Sequence, residues 1–137
     1  MRSARSALHH EAMTSEVRSF AVAAASSGTF GRVLCSARNH HFVVDGPVQN
    51  GCPGEALTPP ELFLSSIAAC GVELVEVFAR QDGIPLRRVE VAGRGTLDRS
   101  NQARTDVTLM NTLSLDFTLS GVDDAQAAHL IARFKKT

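Results

Sequence analysis

Thr58-Pro59-Pro60-Glu61-Leu62-Phe63-Leu64-Ser65-Ser66-Ile67-Ala68-Ala69-Cys70-Gly71 is the stretch on which the fold turns. It reads as the start and first half of a long helix. Thr58 suits the N-cap, Pro59 suits the first helical position, and Glu61 three residues past the cap completes a capping-box pattern. Gly83 and Pro85 stop the helix after about 24 residues, a rod of roughly 36 Å at ~1.5 Å per residue. Leu62, Phe63, Leu64, Ile67, Ala68, Leu74, Val75 and Phe78 fall on nearly all its sides, so burial almost all round is expected. Glu73, Glu76 and Arg80 mark the edge that meets water. Cys70 lies midway along the rod, beyond the influence of the positive helix terminus. A reactive thiol there needs a cation from another part of the fold.

Upstream of the helix, Glu16 to Ala25, Phe30 to Ala37 and His41 to Asp45 read as three strands of a meander. Ser26-Ser27-Gly28 and Arg38-Asn39-His40 form the turns between them. Gly46 to Leu57 is rich in Gly, Pro and Asn and reads as a loop. Downstream, Leu86 to Leu97 and the strictly alternating Arg104 to Leu119 pair around the turn Asp98 to Asn101. Asp123 and Asp124 open a second helix on which Ala127, Leu130, Ile131 and Phe134 share a face. The order βββ-α-ββ-α, with hairpins segregated around one long helix, is α+β.

The chain has 137 residues, one domain's length, and is expected to fold as a single domain over residues 16–137 behind a mobile tail of residues 1–15. Met13 is an alternative start. Lys and Arg number 14 and Asp and Glu number 14, so no net field attracts nucleic acid or an anionic membrane. Ser65, Ser66, Glu73 and Glu76 interrupt the best candidate for a membrane span. Three widely spaced cysteines, Cys35, Cys52 and Cys70, form no zinc pattern and indicate a reducing, cytoplasmic setting. His40 and His41 point to opposite faces of a strand, and His9-His10 lie in the tail, so neither pair reads as a metal site.

Arg38-Asn39-His40 before Phe42-Val43-Val44-Asp45, the Gly/Pro loop, Thr58-Pro59-Pro60-Glu61-Leu62 running into Ala68-Ala69-Cys70, and Gly83-Ile84-Pro85-Leu86 together resemble the OsmC/Ohr superfamily. That superfamily contains osmotically induced and organic-hydroperoxide-resistance proteins. The resemblance covers roughly residues 17 to 137. It implies an intertwined homodimer with the two long helices packed centrally, and cofactor-free reduction of organic hydroperoxides in oxidative-stress defence. Cys70 matches the reactive position and Arg38 is the candidate thiolate-stabilising cation, with Arg32 the alternative. The partners implied are an organic hydroperoxide and a small dithiol reductant, with the sulfenic acid formed on Cys70 resolved by a second thiol.

Two departures from the peroxidase pattern open a second reading. Aligned on Cys70, the Glu that holds the Arg in active members is replaced by Pro60. Glu61 lies nine residues from Cys70, about 180° round the helix, and is better read as the capping partner. The family's resolving Cys-Pro pair follows the second helix, and this sequence stops at Phe134-Lys135-Lys136-Thr137, either truncated or without that thiol. The alternative is therefore a non-peroxidatic OsmC-like dimer that binds a small apolar or thiol-reactive molecule. Cys52, in the loop, is expected to be exposed, and Cys35 to lie in a strand.

Overall fold

A computed structural model describes residues 16–137; the expectations for the tail and for His9-His10 lie outside the described residues. Strands β1 (Ala23–Ser26), β2 (Arg32–Ala37) and β3 (His40–Asp45) form one antiparallel sheet in the order β1-β2-β3. Helix α1 (Pro59–Gln81) follows, then an antiparallel pair, β4 (Arg88–Thr96) and β5 (Thr112–Ser120), and helix α2 (Asp124–Lys135). The α+β architecture is the one read from the sequence. No peptide bond among the described residues is cis.

The helix ends were legible because their signals are local. Thr58 is the N-cap in extended conformation, Pro59 opens the helix, and Leu62 N–H donates to the Thr58 carbonyl at 2.9 Å. The capping box itself does not form. Thr58 Oγ1 instead donates to Glu61 Oε1 at 2.7 Å, a side-chain pairing that leaves the hydroxyl bonded to the Glu61 carboxylate and not to its backbone N–H. At the other end Gly83 takes φ 64°, Ile84 N–H reaches the Ala79 carbonyl at 2.9 Å, and the helix closes in a Schellman turn. Asp123 caps α2 with the reciprocal box missing from α1, bonding Gln126 N–H at 2.8 Å while Gln126 Oε1 accepts from Asp123 N–H at 3.1 Å.

Strand limits moved more. Val17, Phe20 and Val22 precede β1 as exposed residues outside any ladder, so the first strand is shorter than the expected Glu16 to Ala25. Residues 97–111, expected in part as strand, form a long connection. Its backbone is held by side chains: Gln102 Oε1 accepts from Leu109 N–H at 2.6 Å, and Gln102 Nε2 donates to the Asp98 carbonyl at 2.7 Å. Such bonds satisfy the backbone without a neighbouring strand, so the alternation at Val107 and Leu109 did not produce one.

The core lies between α1, α2 and the inner face of β4–β5, around Val75, Phe78, Ala79, Val89 and Leu130, with Phe117 and Phe134 against it. Cross-strand pairs on that inner face run Val89–Leu119, Val91–Phe117, Gly93–Leu115 and Gly95–Leu113. The taper from branched residues to glycine lets the first half of α1 approach β4; a Cβ on Gly95 would lie 3.2 Å from Leu64 Cδ2. Only Gly71, Val75, Phe78 and Ala79 of α1 are buried, which corrects the expectation of burial all round. A two-stranded sheet covers one side of a helix, and the three-stranded sheet is not among the main neighbours of α1, which are β4 and α2. By length and a mean hydropathy of 1.8, α1 is sufficient to cross a membrane despite its polar interruptions, but core helices meet the same measure and α1 packs as one.

Candidate functional site

Cys70 stands exposed at the middle of α1, not buried as a core thiol. The uncovered residues around it follow helical spacing: Phe63, Ser66, Cys70, Glu73, Val77 and Arg80, separated by three or four, form one stripe along the helix. Phe63 is 52% exposed and Val77 36%, large apolar groups two turns either side of the thiol. Gly71, the next residue and about 100° further round the helix, faces Phe117 and Val91. The thiol is thus presented outward because its neighbour is pressed against the sheet.

The two candidate cations have different fates. Arg32 is committed: its Nε and Nη2 donate to Asp45 Oδ1 and Oδ2, each at 2.9 Å, and Nη2 also reaches Glu55 Oε2 at 3.2 Å. Asp45 is wholly buried and further accepts from Glu55 and Ala56 N–H at 3.0 and 2.9 Å. The Arg32 guanidinium, aided by those two amides, holds the Asp45 carboxyl well below the usual carboxylate range, and Asp45 in turn holds Arg32 above its ordinary value. This ion pair ties β2 and β3 to the loop that leads into α1. Composition did not reveal it; the signal is the cross-strand register Arg32–Asp45.

Arg38 is uncommitted. It sits exposed at the tip of the two-residue β2–β3 turn with φ 54°, and it makes no salt bridge among the described residues. A two-residue hairpin turn calls for left-handed backbone, which costs a residue with a side chain roughly 1 kcal/mol, so this φ belongs to the turn. Within one chain no hydrogen bond or ion pair joins Arg38 to Cys70, and their elements are not packed together.

Glu61 stays with Thr58 and lines a cavity of about 310 Å³ with Leu57, Leu64, Ser65, Ala68, Val91 and Gly93. That cavity lies between α1 and β4, and Cys70 is not part of its wall. Cys52 departs from expectation. It is half-buried in a slot where a Cβ on Gly31 or Gly46 would come within 2.3 or 2.4 Å of its sulfur. Cys35 is half-buried in β2 opposite Phe42. Among the described residues no group of His, Cys, Asp and Glu is placed to hold a metal ion.

A meander, a long helix bearing one outward thiol at its centre, a hairpin and a second helix define a small thiol-bearing α+β protein. The family model of the OsmC-like protein matches residues 52–137, and the chain belongs to that family. Among solved structures it is similar to an OsmC like protein from Mycoplasma pneumoniae, at 15% identity and TM-score 0.72, covering 87% of this chain and 82% of that one. It is also similar to an organic hydroperoxide resistance protein OsmC from Legionella pneumophila, at 21% identity and TM-score 0.64, over 85% and 82%. A third is an organic hydroperoxide resistance protein from Elizabethkingia anophelis with thiocyanate bound, at 16% identity and TM-score 0.68, over 86% and 81%. Among curated proteins, none matches.

Proposed function

We propose that this OsmC-like protein is a thiol-dependent reductase of organic hydroperoxides, a cytoplasmic homodimer in which Cys70 is the nucleophile and Arg38 the stabilising cation. The observation that carries the reading is the outward Cys70 at the centre of an uncovered stripe of α1, with exposed Phe63 and Val77 two turns either side of it. A free Arg38 on the hairpin tip and relatives named for organic hydroperoxide resistance support it.

The chemistry needs no cofactor. The Cys70 thiolate attacks the terminal oxygen of R–O–O–H and the O–O bond breaks. Sulfur is oxidised to a sulfenic acid, and the leaving alkoxide takes a proton to become the alcohol. A small dithiol then reduces the sulfenic acid: one thiol forms a mixed disulfide and releases water, and the second displaces Cys70 as the thiol. Since Arg38 and Cys70 are apart within one chain, a second copy is the natural source of the cation. Arg38 assists by offsetting the thiolate charge and donating to the leaving oxygen.

The test is consumption of cumene hydroperoxide with a dithiol reductant. Cys70→Ser is expected to abolish it and Arg38→Ala to lower kcat/KM by roughly 10²-fold; undiminished turnover in Cys70→Ser ends the reading. The bonding of Glu61 to Thr58 and the presence of Pro60 favour one other reading, a homodimer that binds a small apolar or thiol-reactive molecule without reducing peroxide. Stoichiometric reaction of Cys70 with no turnover identifies that case.

A further inference from the structure

We infer that Asp45 is a positioning residue: together with Arg32 it fixes the angle between the hairpin that carries Arg38 and the helix that carries Cys70. The inference rests on the reading of Cys70 as the nucleophile and Arg38 as its cation.

The three-stranded sheet makes at most minor contact with α1, α2 or the β4–β5 pair. The chain joins it to α1 through residues 46–57, and that segment is fastened at Asp45. The carboxylate is wholly buried and uses both oxygens. Oδ1 accepts from Arg32 Nε at 2.9 Å; Oδ2 accepts from Arg32 Nη2 at 2.9 Å and from the Glu55 and Ala56 N–H groups at 3.0 and 2.9 Å. Asp45 N–H in turn donates to the Leu57 carbonyl at 3.1 Å, and Gly46 N–H donates to the Gly31 carbonyl at 2.8 Å. Thr58, the N-cap of α1, comes next after Leu57. One residue therefore grips the start of β2, the end of β3 and the last residues before the helix. The planar fork of Arg32 on a carboxylate fixes direction as well as distance.

The two arms that meet at this joint are regular elements. Strands β2 and β3 pair without a break from Arg32–Asp45 to Ala37–His40, so the hairpin moves as a unit with Arg38 at its tip. That tip is about 20 Å from Asp45 at ~3.3 Å per residue. Cys70 lies about 18 Å along α1 from Thr58 at ~1.5 Å per residue. A tilt of about 10° at the joint carries the tip ~3.5 Å, more than the ~2.9 Å of a hydrogen bond from a guanidinium. On the exchange reading, Arg38 of one copy meets Cys70 of the other, so the same joint sets both sites of the pair.

Cross-linking reads this geometry without turnover. In Arg38→Cys, diamide oxidises the introduced thiol and Cys70 of the other copy to a disulfide and is itself reduced to the hydrazine. Covalent dimer is followed on non-reducing gels and its linkage confirmed by peptide mapping. Adding Asp45→Asn, which turns an amide N–H against the donors around it, is expected to slow the cross-link about tenfold. Alkylation of Cys70 by iodoacetamide should keep its rate in the same pair of proteins, so that a general loosening is told apart from a misplaced hairpin. Arg32→Lys keeps the charge but gives up the fork; it should slow the cross-link less, and it carries the test if Asp45→Asn does not fold. In turnover of cumene hydroperoxide, Asp45→Asn should lower kcat/KM about tenfold while Arg38 is present and no further in Arg38→Ala. No cross-link to Cys70, a rate unchanged in both variants, or equal losses of kcat/KM with and without Arg38 overturns the inference. An Asp45-dependent cross-link in protein that consumes no peroxide defeats the hydroperoxide reading alone, and Arg38-dependent turnover with a cross-link indifferent to Asp45 defeats this inference alone.

Discussion

Gly71 decides how Cys70 is presented, although it carries no chemistry. Glycine inside a helix costs about 1 kcal/mol relative to alanine, so its presence between Cys70 and Val72 needs a reason. A Cβ there would lie 3.1 Å from Phe117 Cζ, 3.2 Å from Cε1 and 3.4 Å from Val91 Cγ2. For Gly71→Ala the propensity gain and the tight contact oppose each other, and the net change in stability should stay within ~1 kcal/mol. For Gly71→Leu the side chain has no space and must lift α1 from the sheet, costing about 1–3 kcal/mol and moving Cys70 with it. Urea midpoints of the two variants check this, and a Leu variant as stable as the parent would show that Phe117 yields freely. The sequence shows Gly71 only as a weak point in a helix pattern. Which residue it meets depends on the Val91–Phe117 pairing, two strands away in the chain, and is not readable locally.

At the scale of elements, the two helices are joined where α1 ends. Asp82 accepts from Arg133 Nη1 at 2.8 and 2.9 Å, and its Oδ2 lies 2.7 Å from His129 Nε2; Arg133 also stacks 4.2 Å over the Phe78 ring. Hydrogen bonding to His129 first, then to Arg133, holds the Asp82 carboxyl below its ordinary value. A carboxyl lowered in the folded state adds stability that is fully present above the unfolded value of about 3.9 and lost as pH falls through the lower folded value. Asp82→Asn removes that contribution at neutral pH and its titration in acid. The variant should be less stable at pH 7, and its urea midpoint should fall less steeply below pH 4 than the parent's. Parallel curves would mean that the clamp carries no net stability. Helix boundaries were legible from Thr58, Pro59, Gly83 and Asp123 because each acts on its own turn. This clamp was not, because it pairs residues 47 and 51 positions apart. Residues 97–111 misled for a related reason: alternation reports a side-chain pattern, and Gln102 took over the backbone bonds that a strand partner would have made.

The whole chain leaves two apolar surfaces uncovered. Six hydrophobic side chains are buried among the described residues. Phe63 and Val77 stand out on α1, while Leu34 and Val43 pair on one face of the three-stranded sheet and Phe42 projects from the other. Phe63 and Val77 on the helix stripe and Leu34, Phe42 and Val43 on the sheet are exposed apolar groups on two elements that are not packed on each other. A twofold pair of chains lets each cover the other's, and exchange between copies satisfies two such faces at once. The same exchange is what could carry Arg38 to a thiol that its own chain keeps at a distance. Light scattering at micromolar concentration should give twice the 14.6 kDa chain mass. Phe63→Glu puts a charge on the first residue of the stripe that a partner copy would cover, so it should yield monomer or aggregate and lower the thermal midpoint. Glu76→Gln, off the stripe, should remain dimeric. Peroxide consumption should fall in Phe63→Glu with Cys70 untouched, since the cation then has no route to the sulfur. A parent protein that is monomeric and still reduces peroxide would sever that link and require a cation from within one chain.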